Sequence, residues 1–417
     1  MKRILLYAPD VEGHPRVYCR VIADALAEKS CHLVIALGFT ARVGLQESPD
    51  LLPLVSRPGV QLVDTRQHSR CGNPHLTAEE LIELQTRLTI DLTLFIEADK
   101  SKGEFVRIAE QLAPPLRGCN IGIFAATSSW YPGEDTYTGA PIRLRAPTLR
   151  GTLGNVKRAI LNRKQRPKYF YEQTIIGAGV LHEVWVKDER LADWYGRPVY
   201  WMPEISRPAA LVETPEEAAE FTQRQTELNA FLATNEGREP LLYFGDAAYY
   251  KGYDLFLEFV AANRNTCAIH PGRAYAPQEQ RFFRSDVEVL RAQIRADGRL
   301  YETNAYVHTQ RLKELFFDAI RVYITTHRLA LSSSTMIQAA ELGKPMLVPD
   351  RGLLGYRVRA NHLGGVYQYE NMEDLRKEAE ALWRSDLSRF AEPVARFWGR
   401  FTDAAIQNFV VERLLLS

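Results

Sequence analysis

The sequence predicts an α/β protein of two Rossmann-like domains, each a doubly wound parallel β-sheet with helices on both faces. Three observations support this fold class. The chain has 417 residues, which is enough for two domains with full cores. Apolar runs of strand length alternate with helical patterns in both halves of the chain, as crossover connections require. A connector that combines prolines with a polar helix, residues 203–240, separates the halves.

The composition is that of an ordinary globular protein. Hydrophobic residues make up 46% and charged residues 25% of the chain, and the net charge of +1 gives no overall attraction to nucleic acid. The five cysteines are scattered without a CxxC pair, which argues against a disulfide framework or a zinc site. The first apolar run is strand-like rather than a signal peptide, and no window approaches the length of a membrane span. We therefore expect a cytoplasmic protein whose membrane contact, if any, is peripheral and at the inner face.

The first half alternates strands and helices in the order of a parallel sheet. Strands are predicted at 3–8, 32–37, 60–63, 92–96, 120–126, 180–186 and 198–202. Helices are predicted at 16–29, 77–91 and 104–112. Thr77, with Glu80 three residues later, has the pattern of a capping box at the start of the second helix.

Ligands of doubly wound sheets bind beyond the carboxyl ends of the strands, so the loops there supply candidate residues. The candidates are Glu12, Gly13 and His14 in the first loop, Asp99 after the fourth strand, and Ser129, Trp130 and Tyr131 after the fifth. Gly13 would let backbone approach a ligand, and His14 is the titratable imidazole of that loop. An exposed histidine without a role would look the same. The aromatic loop suits contacts to a sugar or another acceptor, although such loops also occur as packing lids.

A basic stretch follows. Nine lysines and arginines occur between Arg143 and Lys168 with no acidic residue among them, and part of the stretch, 153–163, can form a weakly amphipathic helix. Such a segment can dock on anionic lipid or on a phosphorylated acceptor. It is equally compatible with a solvated basic face. Nucleic acid has no supporting motif or base-stacking array, and we do not expect it as a partner.

The second half repeats the alternation. Strands are predicted at 241–245, 266–270, 300–302, 322–325 and 346–349, with helices at 253–263, 310–319 and 334–342. A long amphipathic helix is predicted at 390–416. Ser332, Ser333, Ser334 and Thr335 lie where a loop becomes the helix 334–342. Backbone N–H groups, the helix dipole and these hydroxyls would make a seat for a phosphate or diphosphate, whereas a serine that merely caps the helix would give the same pattern.

The order of these segments resembles the GT-B glycosyltransferases, most closely the large retaining family that uses nucleotide sugars (glycosyltransferase family 4-like). Four stretches resemble landmarks of that family and together extend over nearly the whole chain: RILLYAPDVEGHPRVYCRVIADAL, EVWVKDERLADWYGRPVYWMPEI, LLYFGDAAYYKGYDLFLEF and SSSTMIQAAELGKPMLVPDRG. The resemblance implies two domains that face each other across a cleft. Residues 1–205 would form the acceptor side and residues 206–395 the nucleotide-sugar side, with a terminal helix, 396–417, packing back toward the first domain.

The resemblance also assigns a donor site, with departures from the family pattern. Gly245 and Lys251 match the loop that holds the donor diphosphate, but Asp246 stands where the family has an arginine. Our hypothesis is that Arg273, after a strand end, supplies the missing charge. The family's two glutamates correspond to Ala330 and Gln338.

Further contacts to the nucleoside are implied by the same resemblance. Gln338 would bond a ribose hydroxyl, with Glu341 one helical turn on as a less defined neighbour. The base would lie against the loop that contains Ala305, Tyr306 and Val307.

The function implied is transfer of a hexose or deoxyhexose from a UDP-, GDP- or dTDP-linked donor to a glycan, lipid-linked or small-molecule acceptor, as in polysaccharide biosynthesis. The sequence has no Asp-x-Asp triplet, so we expect metal-independent transfer without a cofactor. Retention is implied by the family; if the reaction inverts instead, His14, Glu12 or Asp99 could act as base. The lost arginine and glutamates leave a catalytically silent partner protein as the alternative, and a nucleotide-sugar epimerase as a remoter one.

Overall fold

The computed structural model describes residues 1–9, 14–26, 29–38, 52–124, 175–205, 214–275, 282–283, 285–307, 309–328 and 332–415. These residues form two compact units. The first unit contains the described residues up to 205 together with 401–415, and the second contains residues 214–400. The corresponding boundaries predicted from the sequence are residues 205 and 395.

The first unit is built on a parallel sheet in the order β3-β2-β1-β4-β5-β6-β7. Its strands are β1 (Lys2–Ala8), β2 (Cys31–Leu37), β3 (Val60–Asp64), β4 (Leu92–Phe95), β5 (Cys119–Phe124), β6 (Glu183–Val186) and β7 (Val199–Trp201). Alternate residues of β1 enter two separate cores, Ile4 and Leu6 on one face and Leu5 and Tyr7 on the other. A sheet buried on both faces explains why these strands are continuously apolar.

Helices cover both faces of this sheet. They are α1 (His14–Leu26), α2 (Leu52–Val55), α3 (Ala78–Arg87), α4 (Lys102–Ala109) and α5 (Glu189–Tyr195). The capping box at the start of α3 is confirmed, since the Thr77 hydroxyl accepts from the Glu80 N–H at 3.3 Å and the Glu80 carboxylate accepts from the Thr77 N–H at 2.8 Å. Both orphan donors of the helix start are thereby satisfied.

The second unit has two three-stranded parallel sheets, β10-β9-β8 and β11-β12-β13, and β11 lies next to β8. The strands are β8 (Glu239–Leu242), β9 (Thr266–His270), β10 (Leu300–Glu302), β11 (Tyr323–Ile324), β12 (Met346–Pro349) and β13 (Gly364–Tyr367). The six strands follow the Rossmann order, which changes direction between β8 and β11. Ligands of such folds bind beyond the carboxyl ends of the strands at that point.

The helices of the second unit are α6 (Pro215–Thr234), α7 (Tyr253–Ala262), α8 (Val287–Ala296), α9 (Gln310–Asp318), α10 (Ser334–Glu341), α11 (Gly352–Asn361), α12 (Met372–Arg384) and α13 (Ala391–Gly399). A second capping box confirms Thr214 as the N-cap of α6. The loop after β8 leads into α7, and the chain after β11 leads to α10. These two connections flank the switch point.

The single terminal helix predicted at 390–416 is wrong. Two helices occupy this stretch, α13 in the second unit and α14 (Asp403–Leu415) in the first. The break occurs because Thr402 starts a new helix: its carbonyl accepts from the Ile406 N–H at 3.1 Å and its hydroxyl accepts from the Ala405 N–H at 3.3 Å. Helix α14 packs against α1, as a helix returning to the first domain would.

Candidate functional site

The loop after β8 brings Lys251 back onto the end of its own strand. Gly245 has φ +99°, and a Cβ on this residue would lie 2.9 Å from the Lys251 Nζ. The loop closes in a 3₁₀ turn, Tyr249–Lys251, and α7 begins after Gly252, which has φ +69°. Glycine is needed at both positions because other residues avoid positive φ. The Lys251 ammonium therefore lies beside the Gly245 backbone at the switch point.

Lys251 is a partly buried cation that favours an anionic partner. Burial lowers the pKa of Lys251, the charge of Arg273 lowers it further, and Asp246 opposes both effects. A lowered lysine pKa means that the charged form is stabilised less here than in water. A phosphate brought close to the ammonium would reverse that balance. The electrostatics of this loop thus suit an anion better than a neutral ligand.

Asp246 binds an arginine from the neighbouring loop. The Arg273 Nε donates to the Asp246 Oδ1 at 3.0 Å, and the backbone N–H of Arg273 donates to the same oxygen at 3.2 Å. A second guanidinium nitrogen completes a fork on Oδ2, and this ion pair lowers the pKa of Asp246. The guanidinium is 61% exposed despite this anchoring. Asp246 therefore places a second cation beside Lys251.

The loops after β8 and β9 are packed backbone to backbone. A Cβ on Gly272 would lie 1.9 Å from the Gly245 carbonyl oxygen, so only glycine permits this approach. The His270 Nε2 donates to that same carbonyl at 3.2 Å, since a carbonyl can only accept. The Ala247 N–H donates to the Arg273 carbonyl at 3.0 Å. Lys251 and Arg273 therefore project from one rigid pair of loops.

On the other side of the switch point, the chain after β11 carries a buried neutral histidine. Burial and the nearby charge of Lys251 lower the pKa of His327 to about 3. Its Nδ1 contacts the Thr325 hydroxyl. Because His327 is uncharged at neutral pH, it adds no repulsion to the Lys251 ammonium. It can still exchange hydrogen bonds with a polar ligand.

Hydroxyl groups cluster at the start of α10. Ser333 is the N-cap residue, but its side chain makes no capping hydrogen bond and contacts the Thr335 hydroxyl at 2.9 Å instead. The Tyr323 hydroxyl donates to the Thr335 Oγ1 at 2.9 Å, and the fully buried Arg357 donates to the Ser332 hydroxyl at 3.0 Å. Ser333 is thus not a plain side-chain cap, and Ser334 is the first residue of the helix.

Gln338, on the second turn of α10, has a buried acceptor without a hydrogen-bond donor. The side chain is 9% exposed, and its Oε1 has no partner among the described residues. An unsatisfied buried oxygen costs about 1–3 kcal/mol. A ligand hydroxyl would remove that cost. Glu341, one turn further, is half-buried.

The loop predicted on the nucleobase side joins the loop after β9. Asn304 has φ +49°, and its side-chain oxygen accepts from the Ala274 N–H at 2.8 Å. The Ala305 N–H donates to the Thr303 hydroxyl at 3.3 Å. Tyr306 is 65% exposed, and the Arg273 guanidinium lies 5.7 Å from its ring centroid. Val307 completes the predicted segment.

Most candidate residues of the first unit, predicted as acceptor-side, donor-binding (Gly13) or catalytic (His14), lie outside the described residues. These are Glu12, Gly13, Ser129, Trp130, Tyr131, the side chain of His14 and the basic stretch from Arg143 to Lys168. Backbone alone places His14 as the first residue of α1. Asp99 lies in a 3₁₀ turn after β4, Ala98–Ser101, with the Lys102 Nζ 3.3 Å from its Oδ1. Its proposed role as a base stays a prediction.

Two features are absent from the described residues, a membrane-spanning helix and a metal-binding cluster. None of their helices is both long and apolar enough to cross a membrane. Nor do they contain a group of three or more histidine, cysteine, aspartate or glutamate side chains arranged to hold a metal ion.

Solved structures identify the fold. A structure of Alr3699/HepE from Anabaena in complex with UDP is similar over 100% of both chains, with a TM-score of 0.61 at 12% identity. Sucrose-phosphate synthase from Thermosynechococcus elongatus matches 100% of this chain and 99% of its own, with a TM-score of 0.60 at 13% identity. WaaG, a glycosyltransferase of lipopolysaccharide biosynthesis, matches 100% of both chains, with a TM-score of 0.54 at 13% identity.

Sequence comparison adds no closer assignment, since neither a protein-family model nor a curated protein matches the chain. The structural likeness nevertheless extends over the whole chain. The protein therefore has the GT-B fold, as the sequence predicted.

Proposed function

We propose that this protein is a glycosyltransferase that moves a sugar from a nucleoside-diphosphate donor to an acceptor. The observation that carries the proposal is the pair of cations at the switch point of the second unit, Lys251 and the Asp246-anchored Arg273. Similar structures support it: HepE was crystallised with UDP and with UDP-glucose, and another is named as a UDP-forming trehalose-phosphate synthase. We expect the transferred sugar to be a hexose or deoxyhexose, and the acceptor to be a saccharide, a lipid-linked molecule or a small molecule.

The chemistry follows from the leaving group. Departure of a nucleoside diphosphate places negative charge on its phosphate oxygens, and fixed cations and dipoles stabilise that charge. Lys251 and Arg273 would supply the cations, and the start of α10 its backbone N–H groups and the hydroxyls of Ser333 and Ser334. Gln338 would bond a ribose hydroxyl and the loop at Tyr306 would contact the base. With fixed cations in this role, we propose metal-independent transfer. Retention of the anomeric configuration is proposed from the family resemblance alone.

A thermal-shift screen with UDP, GDP, dTDP, ADP, CMP and their common sugars tests the donor site. A ligand that binds only the folded protein raises the unfolding midpoint. We expect one nucleotide to do so, and Lys251→Ala to weaken its binding about 10- to 100-fold, as expected for a lost charged hydrogen bond. Lys344→Ala is the matched control, because Lys344 precedes β12 at the amino ends of the strands, whereas the switch-point loops lie at their carboxyl ends.

Asp246 gives a sharper test, since its two possible effects have opposite signs. If the Asp246 carboxylate only repels phosphate, Asp246→Asn should bind the nucleotide more tightly. If the carboxylate positions Arg273, Asp246→Asn should instead lose several-fold in nucleotide affinity, as Arg273→Gln should. We expect the loss, measured by calorimetry with the nucleotide found in the screen. Tighter binding by Asp246→Asn would contradict the proposed role of Arg273.

The alternative of a catalytically silent partner protein rests on Asp246, Ala330 and Gln338, which replace the arginine and both glutamates of the family pattern. It predicts that none of the nucleotides shifts the midpoint of well-folded protein. It also predicts that Lys251→Ala leaves the binding of a partner unchanged. Peripheral contact with anionic membranes through residues 143–168 is a separate proposal, tested by co-sedimentation with vesicles that contain anionic lipid.

A further inference from the structure

A buried ion pair joins the two connections that flank the switch point. Two nitrogens of the Arg328 guanidinium donate to the Asp254 carboxylate at 2.6 and 2.7 Å, and the two side chains are 7% and 0% exposed. Asp254 lies in the first turn of α7, and Arg328 follows β11. Taking two charges out of water is costly, and a hydrophobic pair would often be as stable. The pair therefore calls for an explanation beyond stability.

Arg328 also holds the turn that carries Lys251. Its guanidinium donates to the Tyr249 carbonyl at 3.0 Å, and its backbone N–H donates to the Tyr250 carbonyl at 2.9 Å. The guanidinium carbon lies 4.3 Å from the Tyr249 ring centroid. Nearby, the Thr326 hydroxyl donates to the Gly252 carbonyl at 2.8 Å. The carbonyls of Tyr249 and Tyr250, two consecutive residues of the 3₁₀ turn, thus both accept hydrogen bonds from Arg328.

We propose that Arg328 is a positioning residue for Lys251, and through it for the terminal phosphate of the nucleoside diphosphate. The inference rests on the function proposed above. The Lys251 turn lies between Gly245 and Gly252, two residues of wide conformational freedom, so an unsupported turn would be ordered only when the ligand binds. Arg328 orders it in advance, and Asp254 fixes Arg328. Preorganised charge is what stabilisation of a leaving group requires.

Arg328→Lys tests this positioning. Lysine keeps the charge beside Asp254 but cannot form a fork on the carboxylate while it also donates to the Tyr249 carbonyl. The matched control is Arg299→Lys, another fully buried arginine of the same unit. Arg299 donates to the carbonyls of Val260, near the carboxyl end of α7, and of Thr266, at the amino end of β9, both away from the switch point.

The readout is the affinity for UDP compared with UMP, which lacks the phosphate that Lys251 would hold. If the screen finds another base, GDP with GMP or ADP with AMP replaces this pair. We expect Arg328→Lys to weaken UDP binding about 10-fold and UMP binding less than 2-fold. Arg299→Lys should lower the unfolding midpoint and leave the ratio of the two affinities unchanged. A purely structural role would give both variants the same ratio as the wild type.

The outcomes separate this inference from the proposed function. If the wild-type protein binds no nucleoside diphosphate, the proposed function fails, and this inference with it. If the wild type binds UDP and the UDP-to-UMP ratio of Arg328→Lys is unchanged, the inference alone is overturned. Should Arg328→Lys not fold, the neutral double variant Asp254→Asn with Arg328→Gln replaces it, because it leaves no unpaired buried charge. A lowered UDP-to-UMP affinity ratio of this double variant then supports the inference, and an unchanged ratio overturns it.

Discussion

His327 should make the second unit less stable in mild acid. Its imidazole is buried, and burial together with the charge of Lys251 lowers its pKa from about 6.5 to about 3. In the unfolded chain the imidazole takes up a proton once the pH falls below about 6.5. In the folded chain it stays neutral until about pH 3. Between these values the unfolded state binds more protons, so the free energy of unfolding falls as the pH falls.

The size of the effect follows from the two pKa values. One proton contributes about 1.4 kcal/mol per pH unit, which gives roughly 5 kcal/mol over the full window. From pH 7 to pH 5 the native state should lose about 2 kcal/mol through His327 alone. Replacement by asparagine removes the titration and keeps a polar group beside the Thr325 hydroxyl. The wild type should therefore lose about 2 kcal/mol more than His327→Asn over this range.

Urea denaturation at several pH values between 7 and 5 measures the difference. His362→Asn is the control, because His362 is exposed in the same unit and has a positive φ that asparagine tolerates. This control should keep the pH dependence of the wild type. Equal slopes for His327→Asn and the wild type would refute the reasoning, since they would mean that His327 is already protonated or solvated in the folded state.

Two further predictions concern the stability of the second and of the first unit. Gly272→Ala should destabilise the second unit by about 2–3 kcal/mol, because its Cβ would meet the Gly245 carbonyl and backbone cannot move aside as a side chain can. Gly103→Ala is the control: it lies in helix α4 with nothing within 4 Å of the new Cβ, and it should be neutral or stabilising by about 0.5–1 kcal/mol. Chemical denaturation measures the free energy of unfolding of both variants. Equal losses of stability would contradict the steric argument. Thr77→Ala should cost about 1 kcal/mol through loss of the capping box with Glu80, whereas an unchanged unfolding midpoint would show that water replaces the cap.

Much of the fold could be predicted because parallel sheets have continuous apolar strands. The strands 266–270, 300–302 and 346–349 were predicted with the bounds that the structure shows. Strands 266–270 and 346–349 are short, mainly apolar runs next to turn residues, which a linear pattern detects well. Capping residues such as Thr77 and Thr214 are equally easy to recognise in the sequence, since the cap and its partner are three residues apart.

Some elements of the second unit were not predicted. Helices α8 and α12 have apolar residues at helical spacing, but charged residues stand between them, and β13 begins with two glycines. The terminal region was predicted as one helix because the apolar spacing continues through residues 400–402. Only the hydrogen bonds of Thr402 reveal the break. The local sequence pattern predicts that this region is helical, but not the residue at which one helix ends and the next begins.

The candidate site could be predicted where it depends on nearby residues. Gly245 and Lys251 are six positions apart in one loop, and the structure places them together. The partnership of Asp246 with Arg273 could be suggested only as a replacement of charge, because 27 positions separate them. Arg328 and Asp254 were missed entirely. They are 74 positions apart, and nothing in either local sequence indicates the other.

The return of α14 to the first unit bears on how the protein can be divided. Its Ile406, Val410 and Leu414 belong to the core beneath β1, and the Lys2 ammonium donates to the Leu414 carbonyl at 2.8 Å. A fragment that stops at residue 205 would expose that apolar face to water and should aggregate. Joining residues 401–417 to such a fragment through a flexible linker should restore solubility. The described residues of 1–205 and 401–415 thus fold as one piece, and the first unit can complete its core only after residue 415 has been synthesised.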